Sequence, residues 1–141
     1  MIKAPIPENE EERLKKLKSY EVLETAAEAV FDEITRTAAD ICETRISLIS
    51  LIDDNRQWFK SKCGLEASET GRDISYCGHA IMSDEVMIVE DATKDERFFD
   101  NPLLLGEPFV RFYAGAPLIT PEGYRIGTLC VIDSEEKKLS H

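Results

Sequence analysis

Apolar residues in the first third of the chain recur in steps of three and four. This is the period of an amphipathic helix, and it predicts a helix over residues 28–42 with one buried face. Upstream, the stretch "NEEERLKKLKSYEVLET" puts acids before lysines, the order that a helix dipole favours, and predicts a short helix after a proline-interrupted arm. The apolar positions of the 28–42 helix are Val30, Phe31, Ile34, Ala38 and Ile41.

Farther along, short runs of β-branched and leucine residues predict strands. "RISLISLID" and "QWFKSKC", joined by a polar turn, predict one hairpin. "FVRFYAGAPLIT" and "YRIGTLCVID" around "PEG" predict a second hairpin, and "VMIVED" predicts a further strand. Between them, "ATKDERFFDNPLLLGEP" has the proline and glycine of an ordered loop that covers the sheet.

These elements predict an α+β fold. Because hairpins dominate, we expect a mostly antiparallel sheet of five to six strands with helices on both faces. The 28–42 helix covers one face, and the segments 74–82 and 92–106 cover the other. We divide the chain into an N-terminal arm and short helix (1–26), a globular domain (27–134) and a tail (135–141).

Composition and charge narrow the class of protein. The 141 residues, 43% hydrophobic and 32% charged, are typical of one soluble domain. The net charge of -11 leaves no basic stripe for nucleic acid or anionic lipid. The chain shows no apolar run long enough for a membrane span and no secretion signal, so we expect a cytoplasmic protein without membrane contact.

The four cysteines lie far apart. Without a CxxC pair they predict reduced, mostly buried thiols rather than a structural zinc site. The acids of the loop after residue 90 are expected to be solvated rather than to converge on a metal ion. The cysteines are Cys42, Cys63, Cys77 and Cys130.

The stretch "ISYCGHAIM" raises the question of a Cys77–His79 dyad. With Ser75 as N-cap it predicts a short helix. Positions two apart on a helix point roughly 200° away from each other, so the two side chains are not expected to share a metal or a proton. Cys77 retains interest because a thiol in the first turn of a helix has a lowered pKa.

The chain resembles a GAF domain from about Pro7 to Asp133. The stretches that carry the likeness are "LISLIDDNRQWFKSKCGL", "RDISYCGHAI", "VEDATKDERFFDNP" and "RFYAGAPLITPEGYRIGTLCVID". It resembles in particular the bacterial GAF modules that precede histidine kinases and diguanylate cyclases. The resemblance implies a non-catalytic sensor that binds an unknown small molecule between sheet and lid and signals to an output domain through its terminal helices.

The family usually closes with one more long helix, which docks beside the first and carries dimerisation. Residues 135–141 are too few for that helix, so we expect a truncated C-terminal tail. A homodimer is one alternative for the quaternary structure.

In the family, the ligand pocket lies under the lid. We therefore expect ligand contacts from the strand near Val110 and from the segments 73–79 and 91–99. Arg111 is either an anion clamp or the partner of a salt bridge to Asp73 or Asp91, and the aromatic candidates are either pocket walls or core. The candidate ligand-binding residues are Asp73, Cys77, His79, Asp91, Phe98, Arg111, Phe112 and Tyr113.

Two alternatives stay open beside the sensor. A dimerisation scaffold would have its pocket filled by Phe98, Phe99 and Phe112. A free methionine-(R)-sulfoxide reductase, another GAF-fold protein, would use Cys77 and Cys63. Bilin attachment at Cys77 is not expected, because Gly78 separates it from His79, and the cyclic-nucleotide signature of the family is not reproduced.

Overall fold

The structure, a computed structural model, describes residues 2–21, 23, 25–26 and 28–137. The last four residues of the predicted tail, 138–141, lie outside the described residues, as do Met1, Val22 and Glu24 of the predicted N-terminal region. The helices are α1 (Glu10–Ser19), α2 (Ala29–Cys42), α3 (Tyr76–Ala80) and α4 (Pro102–Leu105), and the strands are β1 (Ile46–Ile52), β2 (Arg56–Cys63), β3 (Glu69–Gly71), β4 (Met87–Val89), β5 (Phe112–Ile119) and β6 (Arg125–Asp133).

The six strands form one antiparallel sheet in the order β3-β2-β1-β6-β5-β4. Both predicted hairpins are present, as β1–β2 and β5–β6, and the central pair β1–β6 joins them. Helices α1 and α2 pack on one face of the sheet and α3 packs on the other. The predicted α+β fold is confirmed. Strand β3, which adds three residues to the edge of β2, was not predicted.

Helix α2 begins one residue after the predicted start and ends at Cys42 as predicted, but the prediction of its buried face was wrong for three of the five apolar positions. Val30, Ile34 and Ile41 are 59%, 42% and 77% exposed. The buried side chains are instead those of Thr35 and Ala39. Phe31 and Ala38, the other two predicted positions, are partly buried on this inner face, where Thr35 hydrogen-bonds to Ser61 of β2 over 3.0 Å. The outer face of α2 therefore carries an apolar stripe, Val30/Ile34/Ile41, that the described residues leave uncovered.

The main hydrophobic core lies between the sheet and the side that carries α3 and the 92–110 segment, which we call the lid. Ring stacking contributes to it, because the Tyr76 and Phe98 rings lie 4.1 Å apart and nearly parallel. Asn101 links the lid to α3: its Nδ2 donates to the Ile74 carbonyl over 3.0 Å, and its Oδ1 accepts from Leu103 N over 2.8 Å. Lid and sheet are thus one packed unit.

Helix α1 is joined to the opposite face by a buried ion network. Glu10 receives hydrogen bonds from the guanidinium groups of Arg13 and Arg72, whose side chains are 1% and 2% exposed. Arg13 also donates to the Ile52 carbonyl over 2.7 Å, and Leu17 packs against Trp58. The network fixes α1 to the β1–β2 end of the sheet.

No helix among the described residues is both long and apolar enough to cross a lipid bilayer.

Candidate functional site

A cleft of about 480 Å³ opens between strands β1 and β2 and the lid. One wall is formed by the loop after β2, and the other by the end of α4 and the chain that leads into β5. The cleft is lined by Arg45, Leu48, Gln57, Phe59, Gly64, Leu65, Glu66, Ala67, Thr70, Leu103, Glu107, Pro108, Phe109, Val110 and Ile132.

The cleft combines apolar walls with a few oriented polar groups. Phe59 supplies an aromatic surface, and Gln57 projects a buried amide between apolar neighbours. That amide is held in place, because Ser50 Oγ donates to its Oε1 over 2.9 Å and its Nε2 donates to Thr70 Oγ1 over 2.6 Å. Apolar walls with a small number of fixed polar groups are the usual chemistry of a small-molecule site.

The loop after β2 turns sharply because of Gly64. Its φ of +82° lies in the left-handed region, and a Cβ there would clash with the Arg45 backbone carbonyl. Arg45 itself stands at the mouth of the cleft, where its Nη2 donates to the Pro108 carbonyl over 3.1 Å. This bond connects the sheet side of the mouth to the lid side.

A second depression, of about 580 Å³, lies at the outer edge of β4. Most of its lining is charged, including Glu90, Lys94 and Asp95. We take the cleft as the candidate site, because it lies between sheet and lid and its walls are apolar, whereas the edge depression offers little surface to exclude water from a ligand.

The eight predicted site residues are not among the residues that line the cleft. Asp73 is at the surface beside Lys3, and Asp91 lines the edge depression. Phe98 is buried against Tyr76, and Phe112 lies on the opposite face of the sheet, near Ala38 of α2. Ligand contact by these residues stays a prediction.

Cys77 and His79 diverge from α3, as the helix period predicts. Cys77 is buried in the core, whereas His79 Nε2 lies 3.2 Å from the Ile2 carbonyl oxygen. Burial lowers the pKa of His79. Ser75 caps the helix as predicted, since its Oγ accepts from Gly78 N over 3.0 Å. The pair is not a dyad in this structure.

Arg111 forms the salt bridge that the sequence offered as one alternative. Its Nε and Nη2 donate to the two carboxylate oxygens of Asp91 over 2.9 and 3.0 Å. Asp91 also accepts from the Thr93 hydroxyl over 2.6 Å. The hydrogen bonds from Arg111 and Thr93 hold the pKa of Asp91 well below its ordinary value. The bridge links the end of β4 to the start of β5.

Cys77 has polar partners that the sequence did not indicate. Tyr113 Oη and Thr128 Oγ1 donate to its sulfur over 3.2 and 3.0 Å, and the Cys130 sulfur lies 3.9 Å away. Burial raises the pKa of the Cys77 thiol, but hydrogen bonds from Cys130, Thr128 and Tyr113 outweigh it and lower that pKa below its ordinary value. The hydrogen bond between the two sulfurs, in which Cys130 keeps its proton, and burial raise the pKa of Cys130.

The sequence analysis did not predict the residues that line the cleft, except that it named the strand near Val110 as a source of ligand contacts. The alternation along β2 was available as a signal, because Trp58 and Phe59 must face opposite sides of the sheet. Nothing in the local sequence indicates that the loop after β2 and the end of α4 meet across Phe59.

Comparison with known proteins gives one family and a set of related structures. The family model "GAF domain" matches residues 26–141. A cyclic di-GMP phosphodiesterase from Pseudomonas aeruginosa is 47% identical over 137 residues, which cover 97% of this chain and 23% of that protein. The chain thus spans about a quarter of the length of this curated relative.

Among solved structures, the GAF domain of a phosphoenolpyruvate-protein phosphotransferase from Coxiella burnetii matches with a TM-score of 0.65 and 16% identity, over 92% of this chain and 80% of that one. A type II free methionine-R-sulfoxide reductase from Thermoplasma acidophilum matches with a TM-score of 0.63 and 10% identity, over 88% and 82%. At these identities the likeness shows the fold alone.

Proposed function

The chain belongs to the GAF domain family, and from that premise we propose that it is the non-catalytic sensory module of a larger bacterial signalling protein. It binds a small molecule in the cleft between β2 and the lid. Binding changes the packing of the helices on the other face of the sheet, and an attached output domain responds.

The observation that carries this proposal is the cleft itself. Its volume of about 480 Å³ is that of a small-molecule site. The fixed amide of Gln57 and the hydroxyl of Thr70 provide hydrogen-bonding groups beside the Phe59 ring, and Arg45 adds a cation at the mouth. These groups suit a ligand that has a flat apolar part and a polar edge.

Strand β2 offers a direct route from the cleft to the helices. Phe59 faces the cleft, whereas its neighbour Trp58 packs with Leu17 of α1 on the other side of the sheet. A ligand that binds one arrangement of β2 more tightly than another therefore shifts α1 at the same time. Terminal helices are the elements through which such a module reaches its output domain.

The size of the relative supports a modular role. The chain corresponds to 23% of the phosphodiesterase that it resembles, so most of that protein lies outside the matched region. We propose that this chain likewise acts beside an output domain, of the phosphodiesterase, cyclase or kinase kind, in the cytoplasm. In this proposal the ligand is a signal and not a substrate.

The reductase alternative is disfavoured by burial. Cys77 is 2% exposed and lies behind Tyr113 and Thr128, where a molecule as large as methionine sulfoxide has no contact with its sulfur. Cys63, the other cysteine of that alternative, lies at the end of β2, whereas the thiol beside Cys77 is that of Cys130.

The scaffold alternative has one observation in its favour, the uncovered apolar stripe on α2 (Val30/Ile34/Ile41). Its filled pocket is disfavoured, since Phe98 is buried against Tyr76 and Phe99 is 54% exposed. We therefore include helix docking at this stripe in the sensor proposal as the contact that joins two copies of the chain.

Thermal unfolding with a cleft-blocking variant tests the proposal. Ala67 is exposed on the cleft wall, so Ala67→Trp fills the mouth without disturbing the core. A low-molecular-mass extract of bacterial cells should raise the unfolding temperature of the parent chain and leave that of Ala67→Trp unchanged.

Val86→Trp is the matched control, because Val86 is 55% exposed near the opposite edge of the sheet. It should respond to the extract as the parent does. An equal rise in all three proteins, or no rise in any of them, would contradict binding in the cleft.

A further inference from the structure

The two fully buried cysteines lie side by side where helix α3 meets strand β6. Their sulfur atoms are 3.9 Å apart, and the residues are 2% and 1% exposed. Cys77 comes from the first turn of α3 and Cys130 from the middle of β6. A disulfide requires a sulfur separation of about 2.05 Å, so a shift of roughly 2 Å separates this contact from a covalent bond.

The two sulfur atoms differ in their hydrogen-bond donors. Two buried hydroxyl groups, from Tyr113 and Thr128, donate to Cys77. Hydrogen bonds of this kind favour a thiolate over a thiol. A pair of cysteines that served only as apolar packing would need no such donors. The contacts assign Cys77 as the attacking nucleophile and Cys130 as the resolving thiol, which closes the disulfide.

A glycine makes this arrangement possible. The Tyr113 ring lies over Gly115, two residues along the same strand, and a Cβ at Gly115 would lie 2.6 Å from Tyr113 Cζ and would clash with the hydroxyl oxygen. The missing side chain therefore lets the tyrosine hydroxyl reach toward β6 and α3, where it meets the Cys77 sulfur.

We propose that Cys77 and Cys130 form a peroxide-responsive dithiol switch, in which an intramolecular disulfide joins helix α3 to strand β6. The Cys77 thiolate attacks one oxygen of hydrogen peroxide: an S–O bond forms, the O–O bond breaks, and the departing oxygen takes a proton and leaves as water. The Cys130 sulfur then loses its proton and attacks the sulfenic sulfur: the S–S bond forms, the S–O bond breaks, and the hydroxyl leaves with that proton as a second water. The two thiols lose two electrons, which reduce the peroxide.

The switch is connected to the floor of the cleft. Ser50 contacts Cys77 and also donates to the Gln57 amide over 2.9 Å, and Gln57 lines the cleft. Drawing α3 onto β6 moves the Cys77 sulfur, which is the acceptor that Tyr113 and Thr128 share and the atom beside Ser50. We expect oxidation to alter ligand binding. This effect rests on the proposed function, whereas formation of the disulfide is independent of that function.

The test uses the double variant Cys42→Ser/Cys63→Ser, which removes the two partly exposed thiols and leaves only Cys77 and Cys130. After treatment with hydrogen peroxide, the chain is denatured, alkylated and weighed. We expect loss of two hydrogen atoms from the monomer, no alkylation, and recovery of both thiols with dithiothreitol. In the parent chain, peptide mapping should find Cys77 linked to Cys130.

Cys130→Ala in the same background removes the second thiol, and Cys77 should then be trapped as a sulfenic acid by dimedone. Tyr113→Phe should move the pH dependence of the oxidation to higher pH, whereas Tyr20→Phe, at an exposed tyrosine, should not. The proposal would be overturned if the treated double variant still had two alkylatable thiols. Oxidation of Cys42 and Cys63 in the parent under the same treatment would show that the peroxide was active.

The coupling to the cleft has a separate outcome. If the disulfide forms but the extract stabilises reduced and oxidised chains equally, the switch stands and its link to the cleft is refuted. If the extract stabilises neither form, the sensor proposal fails while the mapped disulfide remains.

Discussion

At the scale of single residues, the Asp91–Arg111 bridge gives the clearest dependence on pH. Hydrogen bonds from Arg111 and Thr93 hold the pKa of Asp91 well below the value of an unfolded aspartate. A depressed folded-state pKa contributes stability that is fully present above the unfolded value, about 3.9, and is lost as the pH falls toward the folded one. The bridge therefore stabilises the protein at neutral pH and weakens in acid.

We predict that Asp91→Asn lowers the unfolding temperature at neutral pH. Asparagine retains the size of the side chain and its ability to accept from Thr93 N, so the change removes mainly the charge. As the pH falls from about 4 toward the lower folded-state pKa of Asp91, the unfolding temperatures of parent and variant should converge. Asp73→Asn, at an exposed carboxylate whose contact with Lys3 is 3.9 Å long, is the control and should follow the parent. A difference between parent and Asp91→Asn that persists in acid would refute the prediction.

At the scale of elements, Glu10 determines how helix α1 is attached. Burial raises the pKa of Glu10, but hydrogen bonds from Arg72 and Arg13 outweigh it and keep the group ionised. The two guanidinium groups, 2% and 1% exposed, have this carboxylate in common. Removing its charge leaves two buried cations with a neutral partner, which is costly.

We predict that Glu10→Gln lowers the free energy of unfolding by about 3 kcal/mol. Glu12→Gln, two residues along the same helix and exposed, is the matched control and should change the free energy of unfolding by less than about 0.5 kcal/mol. Denaturant titrations of the three proteins provide the measurement. Equal stability of Glu10→Gln and Glu12→Gln would show that the network does not hold α1.

The elements also show what the sequence could and could not predict. Alternating and β-branched runs were sufficient to predict both hairpins and β4. The recurrence of apolar residues in steps of three and four was sufficient to predict that α2 is a helix. That period identifies an apolar face but not the face that packs inward, and Thr35 rather than Ile34 meets the sheet. Strand β3 has three residues and depends on pairing with β2, so no local pattern indicates it.

The candidate site was predictable only in part, for a related reason. The helix period was enough to separate Cys77 from His79, and opposite charge was enough to pair Arg111 with Asp91 as one alternative. The cleft, however, is formed by segments far apart in sequence, residues 64–67 and 103–110, that meet across β2. The Cys77–Cys130 contact likewise joins positions 53 residues apart.

At the scale of the whole molecule, the apolar stripe on α2 predicts self-association. Val30, Ile34 and Ile41 lie on the outer face of the helix, and their burial between two copies would remove apolar surface from water. We predict a concentration-dependent rise in mass from 15.9 kDa toward twice that value, measured by light scattering after size exclusion.

Ile34→Glu/Ile41→Glu should keep the chain monomeric, because each copy would bring charges into the contact. Val86→Glu/Ile88→Glu, at residues 55% and 50% exposed on and beside the edge strand, is the control and should leave association unchanged. Dimers that persist in the α2 variant, or a parent that stays monomeric at every concentration, would contradict docking at the stripe.

Ligand binding in the cleft is the claim on which the sensory role depends, and native mass spectrometry tests it most directly. The chain, of 15.9 kDa, is incubated with the low-molecular-mass extract and weighed under native and denaturing conditions. We predict an added mass on the parent that disappears on denaturation and is missing from Ala67→Trp. The same added mass on both proteins, or bare chain at every extract concentration, would contradict a ligand site in the cleft.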